Sequence, residues 1–292
     1  MLGVAGTVPH PGFPLTEGAV EISSDILRID GLEVPVNRGT PALLAAAWAV
    51  AQVMGRQAPH AWLVGDQGLG HGSRSLYAHM ESVLPSREMD VLAFHYLQPD
   101  ADWHGRVLLA VQAMAEQPLL VADAGFQYVA KMCGEAPAYD LFFPDAGELA
   151  FLADEKAPHP FYTRGFLLAD GHDVLEMAAR AWEHGNAARR LLVKGLADHL
   201  LELDASSGEV QVLASVESPV VEALEAVGGT GDTLTGMTAA LMEAGLDMTD
   251  AALAAMRANR LAGALSSASP ATSIAHIIGY LPRALDQALA MS

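Results

Sequence analysis

The feature that most constrains this chain is an alternation, from about residue 33 onward, of short apolar runs with longer helical patterns. Five runs, 61–65, 90–97, 118–123, 139–143 and 190–194, are apolar almost throughout, as strands covered on both faces are. Between them, residues 41–54, 73–84, 105–116 and 173–184 carry helical patterns. Strands alternating with helices of this length predict βαβ units and a largely parallel sheet, hence an α/β fold. The pattern then changes. Residues 199–204 and 209–214 flank a Ser206-Ser207-Gly208 turn and predict an antiparallel hairpin, and helices are expected over 232–244, 249–267 and 281–290. Residues 1–32 read as an extended or irregular segment, and 154–163 as a flexible surface loop. With no repeat and no linker in sight, one domain over 1–292 is expected.

Charge narrows the partners. Sixteen Lys and Arg against 35 Asp and Glu give a net charge of −19, a field that repels a nucleic-acid backbone. A single cysteine, Cys133, excludes an intramolecular disulfide framework and a Cys-rich metal site. The longest apolar stretch, 41–54, falls short of the ~20 residues that span a bilayer and reads instead as an Ala-rich helix buried on most faces. Residues 1–14 carry no Lys or Arg, so no signal peptide is expected and the cytoplasm is the expected compartment. None of the eleven histidines is paired at metal-ligand spacing, so they are read as structural or exposed, with no metal held directly by the protein.

The sharpest local signal is Gly228-Gly229-Thr230-Gly231-Asp232, followed by an apolar pattern with helical period and a stop at Gly245. Glycines around a helix N-terminus aim backbone N–H groups at one point, where the helix dipole adds a partial positive charge: an anion site built from Gly228, Gly229, Thr230 and Gly231. No Lys-Ser/Thr follows, so this is not a Walker loop. Asp232 has two readings, a helix N-cap or a general base beside a bound phosphate. Asp145 and Glu148, three residues apart after a strand, form either a capping box or a piece of a site. Asp123 likewise either caps the next helix or lines a site, and its place at a strand's carboxyl end is where ligands of open parallel sheets bind. Lys194, also at a strand end, is either a phosphate-neutralising cation or a surface lysine. Gly65-Asp66-Gln67-Gly68-Leu69-Gly70 lacks the spacing of a dinucleotide fingerprint.

Taken in order, these segments resemble the ribokinase-like superfamily, and within it the NAD(P)H-hydrate dehydratase (carbohydrate-kinase-like) family. GGTGDTLTGMTAALMEAGL over 228–246 is similar to the family's anion hole, catalytic Asp and following helix. FPDAGEL over 143–149 looks like its Pro-His-Pro-Gly-Glu segment, and LVGDQGLG over 63–70 like its Gly-Pro-Gly-Leu-Gly turn. VADAG over 121–125 looks like its Asp-Ala-Asp, and LLVKG over 191–195 like its Leu-Lys-Gly. The resemblance implies a three-layer α/β/α sandwich with a mostly parallel central sheet and a small antiparallel hairpin. It implies ATP or ADP on the cradle with Lys194, Asp232 as base, and Glu148, Asp145, Asp123, Gly68 and Gly70 toward substrate or Mg²⁺-bound water. It also implies a small-molecule substrate and a homo-oligomer. Three carboxylates depart from the family: Asp66 in the glycine turn, Asp145 in place of His, and Asp198 after Lys194-Gly195. Each is expected to crowd an anionic ligand, where like charges repel. The function expected is a hydrate dehydratase that phosphorylates a hydroxyl and eliminates the phosphate; the alternatives are a small-molecule kinase and a nucleotide-binding homologue without turnover.

Overall fold

A computed structural model describes residues 1–157 and 174–291. Among them, nine strands form one sheet and three more form a small antiparallel sheet. The inner strands of the large sheet are parallel: β1 (Leu2–Val8), β6 (His60–Gly65), β7 (Val91–His95), β8 (Leu119–Asp123), β9 (Leu141–Phe142) and β10 (Arg190–Val193). The expected hairpin, β11 (Asp198–Leu203) and β12 (Val210–Val216), closes one edge antiparallel, and β2 (Thr16–Ala19) closes the other. Their order across the sheet is β12-β11-β10-β9-β8-β7-β1-β6-β2. The small sheet is β3 (Glu21–Ser23), β4 (Ile26–Ile29) and β5 (Leu32–Pro35).

Helices cover both faces. On one lie α1 (Thr40–Val53), α7 (Thr230–Glu243), α8 (Met248–Leu265), α9 (Ile274–Ile278) and α10 (Leu281–Leu289); on the other lie α2 (His71–Val83), α3 (Ala101–Gln112), α4 (Gly125–Met132), α5 (Ala146–Ala153) and α6 (Val174–Glu183). Strand side chains alternate between these layers: in β7, Val91 and Ala93 join the α1 layer, whereas Leu92 and Phe94 join the α2 layer. As expected, α1 is buried along most of its length. Its small side chains let it press on α7, where a Cβ at Gly236 would lie 2.1 Å from the Leu43 carbonyl oxygen. Gly236→Ala therefore has to push these helix backbones apart, and a stability loss of about 3 kcal/mol is expected in chemical denaturation.

Two expectations are sharpened. The N-terminal 32 residues, expected to be extended or irregular, are extended, since they supply β1, an inner strand, together with β2, β3 and β4. Gly3 and Gly6 blunt the strand signal of LGVAGTV, yet the fold needs them: a Cβ at Gly3 would lie 2.9 Å from the Trp62 ring. The third helix begins four residues before the expected 105, because Asp100 caps it through the Trp103 N–H. Of the surface loop expected over 154–163, residues 158–163 lie outside the described residues, as does residue 173 of the helix expected there.

Candidate functional site

The register of the parallel strands builds the floor of the site. Gly6 pairs with His95 across β1 and β7, and His95 pairs with Asp123 across β7 and β8. Alternation along β7 and β8 turns His95 and Asp123 toward the α1 layer at the carboxyl ends of the strands. One step further across the sheet, Lys194 bridges to Asp145 beyond β10 and β9. Lys194 Nζ reaches back to Asp123 Oδ1 at 2.9 Å, and Thr235 of α7 donates to Asp123 Oδ2 at 2.6 Å.

Onto this floor α7 lowers its N-terminus. Its N-cap is Gly229, in the left-handed region at φ 106°, and no side chain caps the helix. The first turn closes from Thr233 N–H to the Gly229 carbonyl, which leaves the N–H groups of Thr230, Gly231 and Asp232 without intrahelical partners. Asn259 of α8 braces the turn, donating to the Thr230 carbonyl at 2.9 Å and accepting from Thr233 Oγ1 at 2.8 Å. Asp232 is thus not the N-cap: it sits in the first turn, 13% exposed, with Oδ2 accepting the Gly39 N–H at 2.6 Å and Oδ1 3.1 Å from His95 Nε2. Burial works to raise its pKa, but the hydrogen bond and charge of His95, then Lys194 and the Gly39 N–H, hold it below the ordinary carboxylate value.

A cleft of ≈560 Å³ brings most of the expected residues together. Asp123, Asp145, Glu148, Lys194, Gly229, Thr230, Gly231 and Asp232 all line it. Gly228 does not, and the Arg38 side chain lies against it. Gly68 and Gly70 are not on this cleft either, which corrects the expectation from the glycine turn. Asp66 has filled that turn from within: Oδ1 accepts the N–H groups of Gly68, Leu69 and Gly70 at 3.0–3.1 Å, and Oδ2 accepts from Ser73 N–H and Oγ. Those bonds overcome the effect of burial and lower the Asp66 pKa. The other two departing acids also have partners within the fold, although both line the cleft. Asp145 closes a capping box with Glu148, and Asp198 pairs with Arg260 at 2.8 Å. The capping-box reading of Asp145 and Glu148 is realised, and both residues also line the cleft.

Two ionisable groups on the wall are strongly perturbed. Burial opposes the charge of Lys194, but Asp123 and Glu148 outweigh it and hold the ammonium above its ordinary range. Burial lifts Glu148, Lys194 opposes without cancelling it, and Asp123 and Asp145 add to the rise, to about 7. The folded chain therefore holds this proton more tightly than the unfolded chain does. Its contribution to stability is complete below the ordinary value of 4.5 and is lost as pH rises through about 7. Between pH ~5 and ~8, wild type is expected to lose more unfolding free energy than Glu148→Gln, as read from urea midpoints at each pH.

His95 is the residue that sequence reasoning missed. It ends an apolar strand, the position that singled out Asp123, but reading histidines only for metal spacing passed it over. Ligand atoms of His95, Asp123 and Asp232 lie within 4.8 Å of one another. All three groups are already committed to Lys194, Thr235, Thr40, Gly39 and each other, so the trio does not suit a cation.

Comparison with known proteins agrees with this architecture. The family model described as NAD(P)H-hydrate dehydratase matches residues 205–283, from the hairpin turn to the start of α10. An uncharacterized protein of Methanocaldococcus jannaschii is 32% identical over 226 residues, covering 77% of this chain and 90% of its own length. Among solved structures, a pyridoxal kinase of Lactobacillus plantarum superposes with a TM-score of 0.57 at 15% identity, covering 99% of this chain and 97% of that one. A ribokinase-like superfamily protein of Enterococcus faecalis does so with 0.56 at 15%, covering 98% and 87%. Among the described residues, no helix is long and apolar enough to cross a membrane.

Proposed function

From its place in one family with the Methanocaldococcus protein and its likeness in fold to a ribokinase-like superfamily protein, we propose that the chain transfers a phosphoryl group from ADP or ATP to a substrate hydroxyl, with Asp232 as the general base. One observation carries the reading: an ionised carboxylate stands in the first turn of α7, beside backbone N–H groups with no intrahelical partner, on the wall of a cleft. A carboxylate placed next to an anion site is electrostatically unfavourable unless it has a proton to collect.

In this reading the transferring phosphoryl group rests on the Thr230, Gly231 and Asp232 amides, which meet the charge that develops in the transition state. Lys194, against Gly231, adds a full positive charge that Asp123 keeps in place. Asp232 takes the hydroxyl proton as the oxygen attacks. Asp145 and Glu148 fit the oxygen-rich wall on which Mg²⁺, largely hydrated, would be held; bound there it would neutralise charge across the phosphates. Glu148 has to shed its proton to contribute.

The family model over 205–283 favours NAD(P)H-hydrate dehydratase, in which the phosphorylated hydroxyl leaves as phosphate and the dihydronicotinamide is restored. A second reading, a kinase for a small alcohol, is favoured by the Asp66-filled turn, which has three amides fewer to offer a large anionic substrate. Hydrated NADH with ADP or ATP tests both. Return of dihydronicotinamide absorbance supports the dehydratase, and nucleotide consumption only with another alcohol supports the kinase. Tight nucleotide binding without turnover on either overturns the transfer.

A further inference from the structure

Both nitrogens of the fully buried His95 ring are engaged: Nδ1 lies 3.0 Å from Thr40 Oγ1 and Nε2 3.1 Å from Asp232 Oδ1. An ionised carboxylate only accepts, so Nε2 carries a proton and donates to Asp232, while Nδ1 and the Thr40 hydroxyl share the second hydrogen bond. Through these two hydrogen bonds the imidazole links Thr40 to Asp232. Room for them is made on β1, where a Cβ at Gly6 would lie 2.5 Å from Thr40 Oγ1 and 2.8 Å from the His95 carbonyl oxygen. Asp232 is gripped at both oxygens, by His95 and by the Gly39 N–H, so its carboxylate has one orientation.

The geometry points to His95 as the positioning residue of the base: its Nε2–H fixes the Asp232 carboxylate in place, while Thr40 holds the ring from its other nitrogen. This inference rests on Asp232 being the base. Every neighbouring element contributes to the setting. From β8, Asp123 Oδ2 lies 3.9 Å from His95 Nε2, and Lys194 beyond β10 neutralises Asp123. After β7, the Tyr96 ring meets the His95 ring edge-on with centroids 4.5 Å apart. From α1 come the Gly39 N–H and the Thr40 hydroxyl, with Arg38 just before them against Gly228. His95 is also the largest of the causes that oppose burial at Asp232.

The test uses the full-length protein with ¹⁵N-labelled histidine and ¹³C-labelled aspartate. In wild type, His95 is expected to carry a proton on Nε2 that is hydrogen-bonded to the Asp232 carboxylate, a signature lost in Asp232→Asn. In His95→Leu, the Asp232 carboxyl is expected to titrate about one unit higher or more, and His95→Gln, which keeps an N–H at that end, is expected to bring it back most of the way. In the transfer assay, His95→Leu lowers kcat about 30-fold and moves its acid limb to higher pH, with nucleotide Kd held within about two-fold. An Nδ1–H tautomer in wild type, or an Asp232 titration unmoved in His95→Leu, overturns the proposal. The tautomer is read on wild type, so a variant that fails to fold leaves the test standing. Failure of the base itself is seen separately, as full turnover in Asp232→Asn with the wild-type tautomer still Nε2–H.

Discussion

Asp232→Asn is expected to lower phosphoryl transfer by about 10³-fold, the middle of the range for a lost general base, while nucleotide affinity stays within about three-fold. The separation follows from the site's construction. The asparagine oxygen can still accept the Gly39 N–H that Asp232 Oδ2 accepts at 2.6 Å, so the joint between α1 and α7 survives. The first-turn amides proposed to hold phosphate belong to the backbone and are untouched. What disappears is the group proposed to take up the proton. Single-turnover rates and isothermal titration with ADP and ATP, measured on the same preparations, check both halves. An asparagine variant with unimpaired turnover would leave Asp232 as a joint between two helices and nothing more.

Gly231→Val is expected to weaken nucleotide binding about 100-fold or more, for two reasons that act together. A Cβ at Gly231 would already lie 3.3 Å from Lys194 Cδ and 3.4 Å from Nζ, so a branched side chain displaces the ammonium. It also stands over the amides at the helix end, where the phosphoryl group would lie. Each lost charge-assisted hydrogen bond is worth roughly 1.5–3 kcal/mol, so loss of the lysine contact and one amide contact suffices for that factor. The fold is expected to persist, because residue 231 faces the cleft and not the core. A circular-dichroism spectrum and melting curve close to wild type, beside an unmeasurable titration with ADP, is the expected pair of results. Wild-type affinity would mean that the phosphates lie elsewhere.

The sequence made the fold legible where burial is one-sided or total. Residues 61–65 and 118–123 are apolar because both faces of the inner sheet are covered, and the Ala-rich run at 41–54 is apolar all round because α1 is wedged between the sheet and neighbouring helices. β1 was not legible: Gly3 and Gly6 are there for what crosses the strand, Trp62 on one side and Thr40 on the other, and neither contact leaves a trace in local periodicity. At the site, the helix-end signal of residues 228–232 lies in one short segment and could be read directly. The partners of Asp232 come from residues 39 and 95, and they meet it only after β1, β7 and β8 have aligned. The effect of the extra acids could not be judged from charge alone either. Asp66, Asp145 and Asp198 each find donors within their own turns or from Arg260, partners that the motif departures alone did not reveal.

The bare contact of Gly236 with the Leu43 carbonyl has a mechanical consequence. Where backbone meets backbone, no rotamer stands between the two helices at this crossing to take up slack, so a displacement of one is expected to carry the other. The Gly39 end of α1 and the first turn of α7, joined a second time through Asp232, then move as a pair. Leu196, 86% exposed, and Val220 line the same cleft free of the core, and there the lining can yield without disturbing that joint.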